Sequence, residues 1–335
     1  MNHLLVVQDD GYFPRGHSML RRVHEERMVG LFYGQRALCI GAVMPLNYVG
    51  TSEHSYGKLT PFKRLVHTGN AFEKIYFGTR AEADEVLACV HRLHQGVRGV
   101  LSEDAGITPA GTPYSALDPA LMLWTVAVIA DSAQHFFELF VRRLSGSERE
   151  QLWHEYLRFA ALFSMPLDEA PGSYEEFRSY WRAQLASEEL FLTDEARYVG
   201  YATAFEIPLP LTHQPGKQVH DLLMLGSLPP RVRELYGLSF TPAHALAYRA
   251  AVGVARAARR LTPGALARGW NTGSFNRVAA TERWRIEHGR PTPQVTEDGP
   301  VPLPRRWGQS TSSTTLPAAP RSSSRTSASP ARSSG

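Results

Sequence analysis

Cysteine is nearly missing from this chain: it has only Cys39 and Cys89, and no CxxC pair. A disulfide framework and a zinc site built from thiolates are both excluded. Long apolar runs are missing too. The longest uncharged one covers 119–130, short of the roughly 20 residues that a membrane span needs. The opening MNHLLVVQDDGYFPRGH has no basic segment ahead of an apolar one, so no secretory signal is expected, and a cytoplasmic, reducing location is. The chain lacks GxGxxG, a P-loop, GxSxG and HExxH, which removes the commonest nucleotide, hydrolase and zinc-protease signatures. No histidine has a glutamate three residues before it. The Glu-x-x-His pairs of di-iron helical bundles are therefore absent as well.

Acidic residues are absent from the end of the C-terminal tail. From Arg305 onward there are five arginines and no Asp or Glu, which leaves residues 1–304 at −1 against +4 for the whole chain. The pI of about 9.1 therefore belongs to the tail, and a nucleic-acid partner is not expected. The stretch 291–335 is rich in Ser, Thr, Pro and Arg and poor in aliphatic residues. It has too little apolar surface to offset its ordering entropy, so it reads as a disordered tail.

What is present is a helical pattern. Apolar residues make up 43 % of the chain, and from 15 to 290 they recur at three-and-four spacing. The pattern predicts helices over 59–77, 80–97, 119–144, 147–164, 173–187 and 241–261. Asp118-Pro119 and Thr241-Pro242 are start signals, a capping side chain followed by proline at the first helical position. The helix from Pro119 is apolar nearly all round to Ala130, as a helix deep in a core should be. No alternating run is long enough for a strand. The expectation is an all-α chain: one large helical domain over 15–290, followed by the tail.

The chemistry-bearing residues lie on two successive helices. Arg64, His67 and Thr68 are at i, i+3 and i+4, on one helical face. The next helix carries His91 at the edge of its apolar stripe and His94 within it, with Arg98 one turn further on. A histidine on such a stripe is ordinarily a core residue. A second helix that groups Arg, His and Thr adds another reading. Haem takes one neutral imidazole, apolar walls and a few polar groups opposite, and two facing helices would supply all three.

The order of these motifs resembles a known family. Gly34-Gln35-Arg36-Ala37-Leu38, Pro45, Glu53-His54-Ser55, Arg64-Leu-Val-His-Thr68 and Phe77-Gly78 form a first block. Val90-His-Arg-Leu-His94-Gln-Gly-Val-Arg98-Gly99, Tyr114-Ser-Ala-Leu-Asp-Pro119 and Leu123-Trp124 form a second, and Leu228-Pro229 with Arg233-Glu-Leu-Tyr-Gly-Leu238 a third. Over about 20–262 they are similar to the latex-clearing-protein (rubber oxygenase) catalytic domain family, which includes MpaB-type oxygenases. The resemblance implies a globin-like helical core, haem b with its iron, dioxygen, and an apolar small-molecule substrate of isoprenoid or lipid type. It places His94 at the proximal iron ligand and Arg64 and Thr68 at distal polar positions. His67 falls where rubber oxygenases carry a distal lysine. Val43-Met44-Pro45 replaces a frequent Ala-His-Pro, and Trp124-Thr125-Val126 a frequent Trp-Val-His.

Other matched residues have plainer readings. Arg36 and Asp118 read as buried and paired, Asp118 also as a helix cap. Tyr114 reads as a loop anchor, Trp124 as core, and Gly99 as a left-handed helix end. Arg98 would pair with a haem propionate, and His54 would either cap a helix or touch a propionate. Cys39 and Cys89 read as small hydrophobes. Three functions fit the sequence: a haem b oxygenase, a non-catalytic haem protein (sensor, store or electron carrier), and a helical interaction module without cofactor. The oligomeric state is left open.

Overall fold

In the computed structural model, residues 11–55, 61–290, 295–296 and 299–300 are described. Four helices open the chain: α1 (Met19–His24), α2 (Arg27–Gly30), α3 (Tyr33–Gly41) and α4 (Pro45–Ser55). A helical hairpin follows, α5 (Pro61–Phe77) and α6 (Arg80–Gly96), then two short strands, β1 (Arg98–Val100) and β2 (Pro113–Ser115). The central helix is α7 (Pro119–Phe140), followed by α8 (Gly146–Leu162), α9 (Tyr174–Ala186), α10 (Asp194–Phe205), α11 (Gln214–Ser227) and α12 (Pro230–Tyr236); α3, α2 and α8 pack against α7, α10 against α3, and α12 against α9. Last come α13 (Pro242–Leu261), α14 (Gly264–Ala267) and α15 (Thr272–Glu287).

The expected all-α single domain is what forms, and its helices begin where the sequence says they should. Asp118 accepts from the backbone N–H of Ala120 and Leu121 at 2.9 and 3.1 Å, with proline at the first turn of α7. Thr79–Glu82, Ser145–Glu148 and Ser173–Glu176 form reciprocal capping boxes for α6, α8 and α9. The α7 helix stops at Phe140 rather than at 144, because Ser145 must be extended to cap α8. It runs well past Ala130, however, and is long and apolar enough to cross a membrane. In the fold 78 % of that stretch is buried, so α7 is the core around which the bundle is built. Trp124 stacks on Trp181 at 5.6 Å and Trp153 on Phe177 at 4.1 Å, each contributing burial of about 1.5–3 kcal/mol.

Three parts of the sequence reading change. Gly99 is extended within β1, paired with Tyr114, and does not end a helix. Cys39 is buried as expected, but Cys89 is exposed on α6. In the region expected to be disordered, Val295–Thr296 pairs antiparallel with Gly299–Pro300. The rest of the 291–335 stretch lies outside the described residues.

Arg36 is buried and paired, but its partner is Asp131. Its guanidinium donates to Asp131 and Ser132 at 2.8 Å and to the Ser227 carbonyl at 3.0 Å. Arg178 donates to the other Asp131 oxygen at 2.6 Å. Asp118 is an exposed cap.

Candidate functional site

A link of only two residues, Gly78 and Thr79, joins α5 to α6, so the two helices run antiparallel. Gly78 is required at this turn, because a Cβ there would come within 2.6 Å of the Lys74 carbonyl. With equal rise along both helices, the start of α5 stands beside the end of α6. Arg64 is then nearly level with His94, and His67 and Thr68 lie about one turn further along. Arg64 also reaches α4, donating to the Thr51 carbonyl at 3.5 Å.

The apolar stripe of α6 is well covered only in its first half. Ala83 and Leu87 are buried, whereas His91, His94 and Val97 are half-buried and Leu93 is 63 % exposed. The His94 ring lies 6.4 Å from Phe163, at 28° to it. Among the described residues it makes no hydrogen bond. Burial, reinforced by His91, holds its pKa below the ordinary histidine value. A neutral imidazole with an uncommitted lone pair is therefore the dominant form at pH 7.

The other predicted residues are arranged less closely than the sequence implied. His67 and Thr68 are exposed on α5, and among the described residues neither has a hydrogen bond or ring contact with His94. Arg98 does not share a helical face with His94, because α6 ends at Gly96 and Arg98 is exposed in β1. His54 is exposed near the end of α4, its Nε2 3.3 Å from the Tyr114 hydroxyl.

Tyr114 is the anchor the sequence suggested. It is buried, donates a short hydrogen bond to Glu53, and lies against Gly99 and Gly50. Burial, helped by Glu53, pushes its pKa up to about 12, so the phenol stays protonated and clamps β1–β2 to α4. A Cβ on Gly99 would sit 2.6 Å from this hydroxyl. Gly99→Ala is expected to destabilise the protein by about 1–3 kcal/mol. Chemical denaturation would register it, and an unchanged midpoint would show that Tyr114 yields freely.

A cleft of about 480 Å3 opens between the first turn of α7, the 107–112 loop, the α8–α9 link and α9. That volume suits a small organic ligand. Met44, Ile107, Trp124 and Met165 give it apolar walls, Tyr180 and Gln184 add polar groups, and Asp118, Glu169 and Glu189 bring carboxylates to its lining. The Gln184 Oε1 is buried without a hydrogen-bond partner among the described residues. Met165 follows two residues after Phe163, the ring beside His94, so the cleft and the imidazole draw on the same segment. None of the six residues singled out in the sequence lines the cleft. Trp124, expected as pure core, is 1 % exposed and also forms its wall. Tyr180, Gln184 and Phe163 carried no recognisable motif, since their place depends on how α8 and α9 pack. The same is true of Phe275 on α15, which lies against Gly69, one residue beyond Thr68.

Among the described residues, no group of three or more His, Cys, Asp or Glu side chains would hold a bare metal ion. Haem iron asks less of the protein, since the porphyrin fills its equatorial positions. One neutral imidazole with a free lone pair fits that requirement, and exposed Arg98 and His54 suit its carboxylates.

A helical domain with an uncommitted imidazole on α6 and a separate cleft of mixed apolar and acidic lining is what these features define. The chain belongs to the family described as ER-bound oxygenase mpaB/B'/Rubber oxygenase, catalytic domain, whose model matches residues 21–257. It is an oxygenase-type catalytic domain, and such a domain uses oxygen and a small-molecule substrate. The match covers α5, α6 and the cleft, and stops before α14 and α15. No curated protein and no solved structure matches the chain.

Proposed function

We propose that this domain is a haem b-dependent oxygenase acting with dioxygen on an apolar isoprenoid or lipid substrate. The observation that carries the proposal is His94: a neutral, half-buried imidazole without a hydrogen bond, at the poorly covered end of the α5–α6 hairpin. When bound, haem would supply the binding and activation of dioxygen. His94 would hold the iron. Because burial and His91 disfavour its protonation, a proton does not compete for the ring at pH 7. Arg64 would contribute a fixed positive charge, steadied by its bond to α4. His67 and Thr68 would donate hydrogen bonds to negative charge developing on oxygen. The cleft would hold the substrate and exclude water, with the Gln184 Oε1 accepting from any donor group the substrate carries.

A non-catalytic haem protein is the second reading. The observation in its favour is that Met44 and Val126 stand where many family members carry histidines. In this fold Met44 lines the cleft and Val126 is buried in the core, so neither position offers an imidazole.

Dioxygen uptake by the haem-loaded protein, with and without short polyisoprenoids, separates the two readings. In the catalytic reading, uptake depends on substrate. Ala120→Trp, at an exposed position on the cleft wall, is expected to raise KM roughly tenfold or more with haem content unchanged. Uptake that is indifferent to substrate would favour the second reading.

A further inference from the structure

The inner face of α13 packs on the bundle through Tyr248, Val252 and Ala255, and Arg259 reaches Glu26 at 2.6 Å. The outer face ought to be polar, since a surface helix normally turns charge to water. It is apolar instead. Leu246 is 64 %, Val254 68 % and Leu261 84 % exposed, and the alanines at 243, 247, 250, 257 and 258 are exposed around them. At 100° per residue these side chains occupy one continuous outward arc. Arg249, Arg256 and Arg260 are exposed along a single edge of it, and Arg256 is held there by donating to the Leu139 and Glu138 carbonyls. From Leu235 to Thr281 the chain carries six arginines and no acidic residue.

We propose that the outer face of α13 docks on an anionic lipid surface, with Leu246, Val254 and Leu261 entering the headgroup region and Arg249 and Arg260 pairing with lipid phosphates and carboxylates. An apolar arc edged with arginine is the pattern of a helix that lies in a membrane interface, and the missing acids leave nothing to repel anionic lipid. A second copy of the chain is a poorer occupant. A stripe about 30 Å long and roughly 10 Å wide offers on the order of 300 Å2, against about 800 Å2 per partner in a stable protein interface. The other copy would also bring the same arginines. The proposal stands apart from the haem reading, since it uses neither His94 nor the cleft.

The test uses the full chain and vesicles of phosphatidylcholine, alone or with about 30 % phosphatidylserine. Co-sedimentation is expected with the anionic vesicles, and it should fall as salt is raised. Arg249→Gln and Arg260→Gln are each expected to weaken it about fivefold. The double variant Leu246→Asp, Val254→Asp should abolish it at an unchanged thermal midpoint, since both side chains are exposed. Three outcomes would overturn the proposal. One is no binding to anionic vesicles. Another is binding that survives the double variant, which would assign it to another basic segment. The third is a concentration-dependent dimer in sedimentation velocity that the double variant dissolves, which would give the face to a second copy.

Discussion

Replacing His94 with alanine is expected to cost the protein its haem. The ring is a half-buried imidazole at the open end of α6 and would be the residue that holds the iron. Losing even an outer hydrogen-bond partner of a metal ligand costs roughly 10–100-fold in affinity, so losing the ligand itself should cost more than about 100-fold. Titration of the apoprotein with haemin, followed at the Soret band, gives the affinity, and circular dichroism checks the fold. His91 precedes His94 by three residues, is half-buried beside it, and is close enough to depress its pKa. An unchanged spectrum in His94→Ala with loss in His91→Ala would transfer the ligand role to His91. His67 is exposed on α5, so the ferric protein should be high-spin at neutral pH. A low-spin signal that His67→Ala converts to high-spin would show instead that α5 moves to bring His67 onto the iron.

The second large effect concerns stability. Asp131→Ala is expected to destabilise the fold by about 3–5 kcal/mol, because it leaves the buried Arg36 guanidinium without its counter-charge. Arg36 is 3 % exposed at the side chain and Asp131 10 %, with 2.8 Å between them. For a domain of this size such a loss lowers Tm by roughly 10 °C. Burial alone would raise the Asp131 pKa, but Arg36 and Arg178 outweigh it and hold the carboxyl below its ordinary value. A carboxyl whose folded pKa is depressed stabilises fully above its unfolded value near 3.9 and loses that contribution as pH falls through the folded one. Acid unfolding of the native chain should therefore steepen below about pH 4, and this part of it should vanish in Asp131→Ala. The double variant Arg36→Met, Asp131→Leu should recover most of the stability, since a well-packed apolar pair replaces a buried ionic one at little cost. A double variant as unstable as the single one would mean that the cost comes from lost packing rather than from the stranded charge.

How much of this was legible in the sequence depended on local chemistry. Helices α6, α8, α9 and α13 announce themselves by a capping side chain joined to an apolar stripe, α7 by its Asp118-Pro119 start, and α5 by its stripe alone. By contrast α10 has the start signal, Thr193 capping and Asp194 and Glu195 in the first turn, but no stripe to go with it. Eight of its twelve residues are buried, so it has no polar face to set the period. The short helices α1 and α2 offer one turn or little more. The β1–β2 pair was missed because three-residue strands show no alternation, and the register that sets Gly99 against Tyr114 exists only once the hairpin closes.

The site divides in the same way. Arg64, His67, Thr68 and His94 could be singled out because helical spacing and the family's motif order converge on them. That Arg36 pairs with Asp131, some 95 residues away, could not be read from either partner's neighbourhood. The cleft was invisible for the same reason: its walls come from α4, α7, the 107–112 loop and α9. The placement of Arg98 failed because the sequence reading carried the helix one residue too far, to 97, and then extended its face onto a strand.

In the proposed reaction, oxygen passes from dioxygen to an apolar substrate. Incubating the haem-loaded protein with a short polyisoprenoid under heavy-isotope dioxygen, and weighing the products by mass spectrometry, tests that most directly. Products carrying the heavy oxygen are expected from the native protein, and none from His94→Ala. Products labelled only from heavy-isotope water, or haem-loaded protein that leaves the polyisoprenoid intact, would contradict the proposed reaction.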